Sequence, residues 1–331
     1  MFTSPENIKY IYDIALDAYS CSYDNTFILF ESSQNIIYLI FSSLNVSIIS
    51  YKLINSKKFQ FITEIKNAHN DYIDNFRYSY DSKNKRDLIL SLSSWDNNIK
   101  IWDLKNWDCI LDINNIYKSG SIVSACFLLD ENLEYNYILP CNFFLFKIAV
   151  TDISGNKDKN KDIEVNISTN IFIDTYFDIK QSKYYIITGN NSNVISYNFT
   201  TGTLYHKYEL INSTNHKSVI IYPDNKINIV KILFASNEGF LLIFNFHSGE
   251  LINKINCGED NLIGCCLWDE NYVLTGGKNK DLKLVDINKG KVVKNFFEHK
   301  QWICSIKSIK INNGQILVTH GLDNKIKLWE I

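Results

Sequence analysis

A chain of 331 residues fits two ordinary domains or one large all-β domain, and 46% hydrophobic with 14% aromatic side chains, rich in Ile, Tyr and Phe, excludes wholesale disorder. The formal charge of −2, from 34 basic and 36 acidic side chains scattered along the chain, lacks the footprint that a phosphate backbone demands, so nucleic acid is not an expected partner. With no run of about 18 apolar residues, no basic-then-apolar leader in MFTSPENIKYIYDI and no CxxC pair or zinc-spaced His among the eight cysteines, the expectation is a soluble intracellular chain whose cysteines are free buried thiols rather than a metal site.

In chain order, the first element is a strand, KYIYDIAL at 9 to 16. Seven copies of a second kind of strand follow, each alternating apolar residues and closing on an aromatic, β-branched or hydroxyl residue: SIISYKL, IKIWDL, KIAVTDI, VISYNF, LLIFNF, LKLVDI and IKLWEI. Their equivalent positions are Tyr51, Trp102, Thr151, Tyr197, Phe244, Val285 and Trp329, between 41 and 51 residues apart. Hairpin punctuation at Thr200-Thr201-Gly202, Ser248-Gly249-Glu250 and Asn288-Lys289-Gly290 follows three of the copies. A period of about 40 to 50 residues with four short strands is that of one β-propeller blade and excludes helical repeats. In the third copy the strand before KIAVTDI contains Pro140, which removes a ladder donor and predicts a bulge there. The charged stretch 154 to 165 and the polar stretch 211 to 218 read as solvated loops.

Two copies, SSWDNNIKIWD at 93 to 103 and HGLDNKIKLWE at 320 to 330, resemble the WD40-repeat β-propellers: an Asp stands six residues before the Trp, and His69 or His299 lies upstream. The resemblance implies an all-β, seven-bladed propeller over residues 1–331, with blades at 17–66, 67–115, 116–168, 169–212, 213–257, 258–296 and 297–331. Residues 1–16 would complete the last blade and close the ring, covering the edge that IKLWEI would otherwise leave bare. The resemblance also implies a hydrogen-bonded tetrad in the last blade, His299, Thr319, Asp323 and Trp329, tying the loop that enters the blade to the turn between its second and third strands. In the second blade His69, Asp96 and Trp102 match, with Leu92 where the hydroxyl is expected. The sixth keeps Thr275 but has Asn279 and Val285.

In this family, partners often touch the positions just before the turn Asp and three or five residues after the His. On this chain the matching positions are Trp95 and Leu322, then Tyr72, Asp74, Trp302 and Cys304, with Lys278 in the sixth blade. Large exposed aromatics make Trp95, Tyr72 and Trp302 the strongest of these. No GxGxxG, GxxxxGK[ST], HExxH or GxSxG motif is present, and a His consumed on both ring nitrogens is not a free base. The expectation is therefore a scaffold or adaptor rather than an enzyme, with no cofactor, no metal and no small-molecule substrate. It would hold a protein or peptide in a multi-subunit complex in the cytoplasm, with the nucleus as alternative. The rival readings are a reader of basic, histone-like tails and an RNA-associated complex subunit.

Overall fold

A computed structural model describes residues 8–15, 27–43, 46–54, 58–114, 121–128, 137–142, 147–152, 161–164, 171–189, 193–209, 219–258, 261–311 and 314–330. Among them the strands form seven antiparallel sheets of four. Six are built from consecutive strands within 27–65, 75–114, 122–164, 172–209, 219–256 and 262–296. The seventh takes Ile303–Ile311, Gly314–Gly321 and Lys325–Glu330, and its fourth strand is Lys9–Ala15 from the other end of the chain.

Alternation along each strand sends successive side chains to opposite faces of the sheet, so a strand buried on both sides serves two neighbours. In the second sheet Leu88, Leu90 and Leu92 pack with Ile122 and Ile138 of the third, while Ile89 and Trp102 pack with Ile28 and Ile40 of the first. The same division holds all round: each hydrophobic cluster is shared by two successive sheets, and the last, with Ile316, Val318 and Leu328 against Phe27 and Leu39, joins the seventh sheet to the first. The first strand of each sheet lies innermost, against the first strands of its neighbours, and the arrangement is a β-propeller.

The seven positions picked out by the repeat all lie in the third strands of their sheets. Four of the third strands end on an Asp or Asn whose side chain accepts from the following turn. Asp103 takes Lys105 N–H at 2.9 Å, Asn198 takes Thr200 N–H at 2.9 Å, Asn245 takes His247 N–H at 2.9 Å and Asp286 takes Lys289 N–H at 2.8 Å. Gly249 and Gly290 then turn the chain at φ of 73° and 64°, where a side chain would be strained.

A further regularity lies in the pairing of third and outer strands. In five sheets the pairing of third and outer strands slips by one residue at the repeat position, between Ser50 and Tyr51, Ile101 and Trp102, Ser196 and Tyr197, Ile243 and Phe244, and Leu284 and Val285. In the seventh sheet the slip falls between Tyr10 and Tyr12, opposite Trp329 and Leu328. The N-terminal strand thus carries the same bulge, at the same place, as the outer strands that follow their own sheets. Tyr10 meets the Trp329 ring edge-on at 5.9 Å, and Asp13 receives Tyr10 O–H at 2.5 Å and an ion pair from Lys325. Hydrogen bonds from Lys325 and then Tyr10 pull the Asp13 carboxyl down to about 2.

The bulge expected at Pro140 is not there. Pairing of 137–142 with 147–152 keeps one register from Ile138↔Thr151 to Cys141↔Ile148, and the slip in this sheet falls in the inner strand, between Ile122 and Ser124. Proline removes a donor without inserting a residue, so the ladder is interrupted without being shifted. Of the two expected loops, residues 154–160 and 211–218 lie outside the described residues, while Lys161–Glu164 is a strand. No helix among the described residues is long and apolar enough to cross a membrane.

Candidate functional site

Every sheet runs its strands in the same sense from the centre outward, so the loop entering each sheet and the turn between its second and third strands open on one face of the ring. Polar networks fix these loops in two places. In the seventh sheet Trp329 donates its indole N–H to Thr319 Oγ1 at 2.8 Å, and Thr319 meets His299 Nε2 at 2.8 Å. His299 Nδ1 faces the Asp323 carboxylate at 3.0 and 3.1 Å. A carboxylate only accepts and an indole only donates, which sets the proton of this imidazole on Nδ1 and leaves Nε2 to accept from the hydroxyl. Asp323 also takes Lys300 N–H at 3.0 Å.

Burial pushes the His299 imidazole down, against the pull of Asp323, so it is held neutral. Burial alone would raise the Asp323 carboxyl, but hydrogen bonds from His299 and the Lys300 backbone outweigh it and hold the group below its ordinary value. Asp96 is held down in the same way, with burial opposed by His69 and Asn70.

The second sheet has an equivalent network, and its hydroxyl comes from Ser91. Trp102 donates to Ser91 Oγ at 2.8 Å, Ser91 meets His69 Nε2 at 2.8 Å, and His69 Nδ1 lies 3.0 Å from Asp96. Leu92, the position expected for this role, points to the opposite face and packs against the third sheet. Four residues, 94–97, separate the paired Ser93 and Asn98, against three, 322–324, between Gly321 and Lys325. The longer turn displaces the hydroxyl by one position when it is counted from Asp. Strand parity would have found it: Trp102 pairs with Ile89, and Ser91 is the next residue on that face.

The longer turn also carries the most exposed large side chain of the face. Trp95 is 74% exposed, yet its neighbours are anchored on both sides. Ser94 donates its N–H to Asp74 at 2.7 Å and its hydroxyl to the same carboxylate, and Asp96 is bound to His69 and Asn70. Asn97, left-handed at φ 56°, accepts Ile122 N–H at 2.9 Å and ties the turn to the third sheet. Trp95 is therefore displayed on a rigid mount. Tyr72, 50% exposed, lies in the loop entering the same sheet.

A second station lies where the sixth and seventh sheets meet. Trp302 is 38% exposed, with Lys278 Nζ 4.7 Å from the centre of its ring, and its carbonyl accepts Leu322 N–H at 2.8 Å. The remaining expected contact residues behave differently. Asp74 spends its carboxylate on Ser94, Leu322 is half-buried, and Cys304 is 4% exposed. Cys304 is removed from that face: pairing slips between Ile303 and Ser305, so it is the bulged residue and turns into the protein. In the sixth sheet Thr275 is buried beside the Cys257 thiol of the entering loop, while Asn279 is exposed.

The buried thiols are poor nucleophiles, since burial pushes Cys141 up to about 12 and Cys257 up to about 11. Among the described residues no three His, Cys, Asp or Glu side chains group to hold a metal ion.

Comparison with protein families matches the WD domain, G-beta repeat, to residues 60–103 and 290–330, the stretches that carry these two networks. Among curated proteins, the U3 small nucleolar RNA-associated protein 21 homolog of Schizosaccharomyces pombe is 26% identical over 105 residues, 31% of this chain and 11% of that protein. The chain thus spans a small part of the length of that relative.

Proposed function

We propose that this chain, a WD40-repeat β-propeller, is a non-catalytic platform that holds a protein or peptide partner within a larger assembly. In this reading the seven sheets are seven blades of one domain, closed by the N-terminal strand, and the partner meets the face that carries Trp95, Tyr72, Trp302 and Lys278. The observation that carries it is Trp95: a large aromatic, 74% exposed, on a turn held by Asp74, His69 and Asn70. An exposed indole costs the chain water contact, and a rigid one loses little entropy on binding, which suits an interface anchor.

A basic peptide tail is less well served, because Asp74 is consumed by Ser94. An RNA-associated complex remains the second reading, favoured by the name of the relative; there the contact would run through protein, given a formal charge of −2.

The test is quantitative affinity purification from the native cell with the wild type and a W95A/W302A variant, with and without ribonuclease. The expected outcome is one partner set depleted about ten-fold or more in the variant, with ribonuclease without effect. For W95A alone, folding stability should change by less than about 0.5 kcal/mol. Partners unchanged by the double substitution would overturn the reading, and partners lost only on ribonuclease treatment would favour the RNA-associated one.

A further inference from the structure

Large exposed apolar side chains gather in two places on the ring. Trp95, Tyr72, Trp302 and Phe297 belong to the face described above. Ile179, Leu204, Ile227, Leu251 and Ile252 lie at the other ends of the fourth and fifth sheets, where the turns between first and second strands and between third and fourth strands open. Ile179 is 81% exposed and Ile227 56%. Leu204 and Leu251 are equivalent, since each pairs with the repeat position of its sheet, Tyr197 or Phe244, and each is half exposed. A single exposed aliphatic is ordinary, but five at the tips of two neighbouring sheets make a patch of the kind that marks an interaction surface.

These tips are cross-braced. The inner turns 179–182 and 225–228 have equal length, and each closes on a left-handed residue, Ser182 at φ 51° and Asn228 at φ 56°. Asp178 and Asp224, at the ends of the first strands, accept the N–H of Lys180 at 2.9 Å and of Lys226 at 3.0 Å. The Lys180 ammonium crosses to the side chain of Asn228, and that of Lys226 reaches Asn271 of the sixth sheet at 2.7 Å. Ile179 precedes Lys180 and Ile227 precedes Asn228, so one contact draws both isoleucines to the seam between the two sheets. The outer turn of the fifth sheet is tied to the same place: His247 Nε2 lies 3.0 Å from Asp178, and the His247 carbonyl accepts from His206 of the fourth sheet. A mount fixed at this many points loses little entropy when a partner docks.

The exposed charge of these tips is mostly positive, with Lys180, Lys183 and Lys226 against Glu250. Asp178 and Asp224 are buried and turned inward, to His247 and to Lys231. Lys180 and Lys226 end on neutral amide oxygens and are not ion-paired among the described residues. Three lysines without a tryptophan fall short of the basic, aromatic make-up of a membrane-binding surface. A second copy meeting this patch across a two-fold axis would set lysines against lysines. We propose that the tips of the fourth and fifth sheets dock an acidic amphipathic segment of a second protein, its apolar side chains on Ile179, Ile227 and Leu251 and its carboxylates toward Lys180, Lys183 and Lys226. This patch and Trp95 open on opposite faces of the ring, so one chain holds both partners at once and joins them.

The experiment is fluorescence anisotropy with the purified full-length chain, titrated into a labelled peptide of about 15 residues that carries Leu along one helical face and Glu and Ala on the other. Control peptides carry Lys for Glu, or Ser for Leu. The first peptide should bind at a single site, at least about ten-fold more tightly than either control, and more weakly as salt rises from about 0.05 to 0.5 M. Ile179→Ser combined with Ile227→Ser should weaken binding about ten-fold or more, and Lys183→Glu combined with Lys226→Glu by a similar factor. All four positions are exposed, so the melting temperature should not move. W95A/W302A should bind the peptide as the wild type does, which separates this site from the partner face. No saturable binding up to about 1 mM, a Lys peptide that binds as well, indifference to the Ile substitutions, or loss of binding in W95A/W302A would each overturn the proposal. So would a chain that fails to bind the peptide but dimerises, or sediments with phosphatidylcholine and phosphatidylserine vesicles, in a way that the Ile substitutions abolish.

Discussion

In the seventh sheet the third strand presents Trp329, and on the second strand, two residues beyond its paired Leu317, stands Thr319, whose hydroxyl takes the indole N–H. In the fifth sheet the third strand presents Phe244, and two residues beyond its paired Ile232 stands Phe234, which contacts the Phe244 ring at 5.8 Å with Tyr208 edge-on at 5.7 Å. The first sheet follows the fifth, with Phe41 stacked on Tyr51 at 5.8 Å, and the second follows the seventh, with Ser91 under Trp102. In these four sheets the position is matched to its neighbour: the indole with a buried N–H is given an acceptor, and Phe244 and Tyr51 are given another ring. The four-strand geometry is common to both. What differs is whether the loops above the sheet are pinned, since only the polar version reaches His and Asp on the exposed face.

The largest effect expected from this contrast is in Trp329→Ala. It removes a fully buried aromatic and the donor at the base of the network, at a cost of about 3 to 5 kcal/mol. Tyr51→Ala, at a half-buried position of the first sheet, should cost clearly less. Chemical denaturation of the two variants gives the order, and the reverse order would break the comparison.

Ser91→Ala comes next. It strands both the Trp102 N–H and the His69 ring nitrogen, and about 1 to 3 kcal/mol of stability should be lost. A loss no greater than that of Ser94→Ala, on the exposed turn, would mean the second network is idle.

A smaller effect is a dependence on pH. The folded state holds His299 neutral with its pKa depressed below the unfolded value of about 6.5, so between those two values the unfolded chain binds more protons. The corresponding stability is fully present above about pH 6.5 and is lost as pH falls through that window toward the folded value. Melting temperature should drop from pH 7.5 to pH 5, and His299→Gln should flatten that slope; an unchanged slope would remove His299 as its source.

The smallest effect belongs to the clasp between the chain ends. Asp13→Asn breaks a partly exposed ion pair with Lys325, and about 1 kcal/mol or less should be lost, shrinking further in high salt.

Much of this frame was legible because third strands repeat an alternation that must end where the strand meets the outer edge of its sheet, and all seven marked positions fall there. Both networks were legible as His, Asp and Trp. Ser91 was missed because spacing was counted through a turn whose length varies, whereas parity along the strand does not vary. Cys304 was misplaced for a related reason, a bulge that shifts every later side chain to the other face. The bulge opposite six of the third-strand positions was missed because it depends on pairing, although four of the bulged residues, Ile11, Ile62, Ile110 and Ile252, are isoleucines.

The pairing of Lys9–Ala15 with Lys325–Glu330 also has a consequence in time. Asp13 and Lys325 are 312 residues apart in sequence, so this strand leaves the ribosome long before the three strands it joins. At roughly 5 to 20 residues per second, synthesis keeps it waiting on the order of 15 to 60 seconds. Through that interval KYIYDIA is a lone strand with unsatisfied edges, and the Tyr10 ring that will meet Trp329 has nothing to cover it. Six sheets can condense in order behind the ribosome, but the ring itself closes in one late, highly non-local step. The seam between the two ends is thus the point at which assembly is slowest and a nascent chain is most open to pairing with the wrong neighbour.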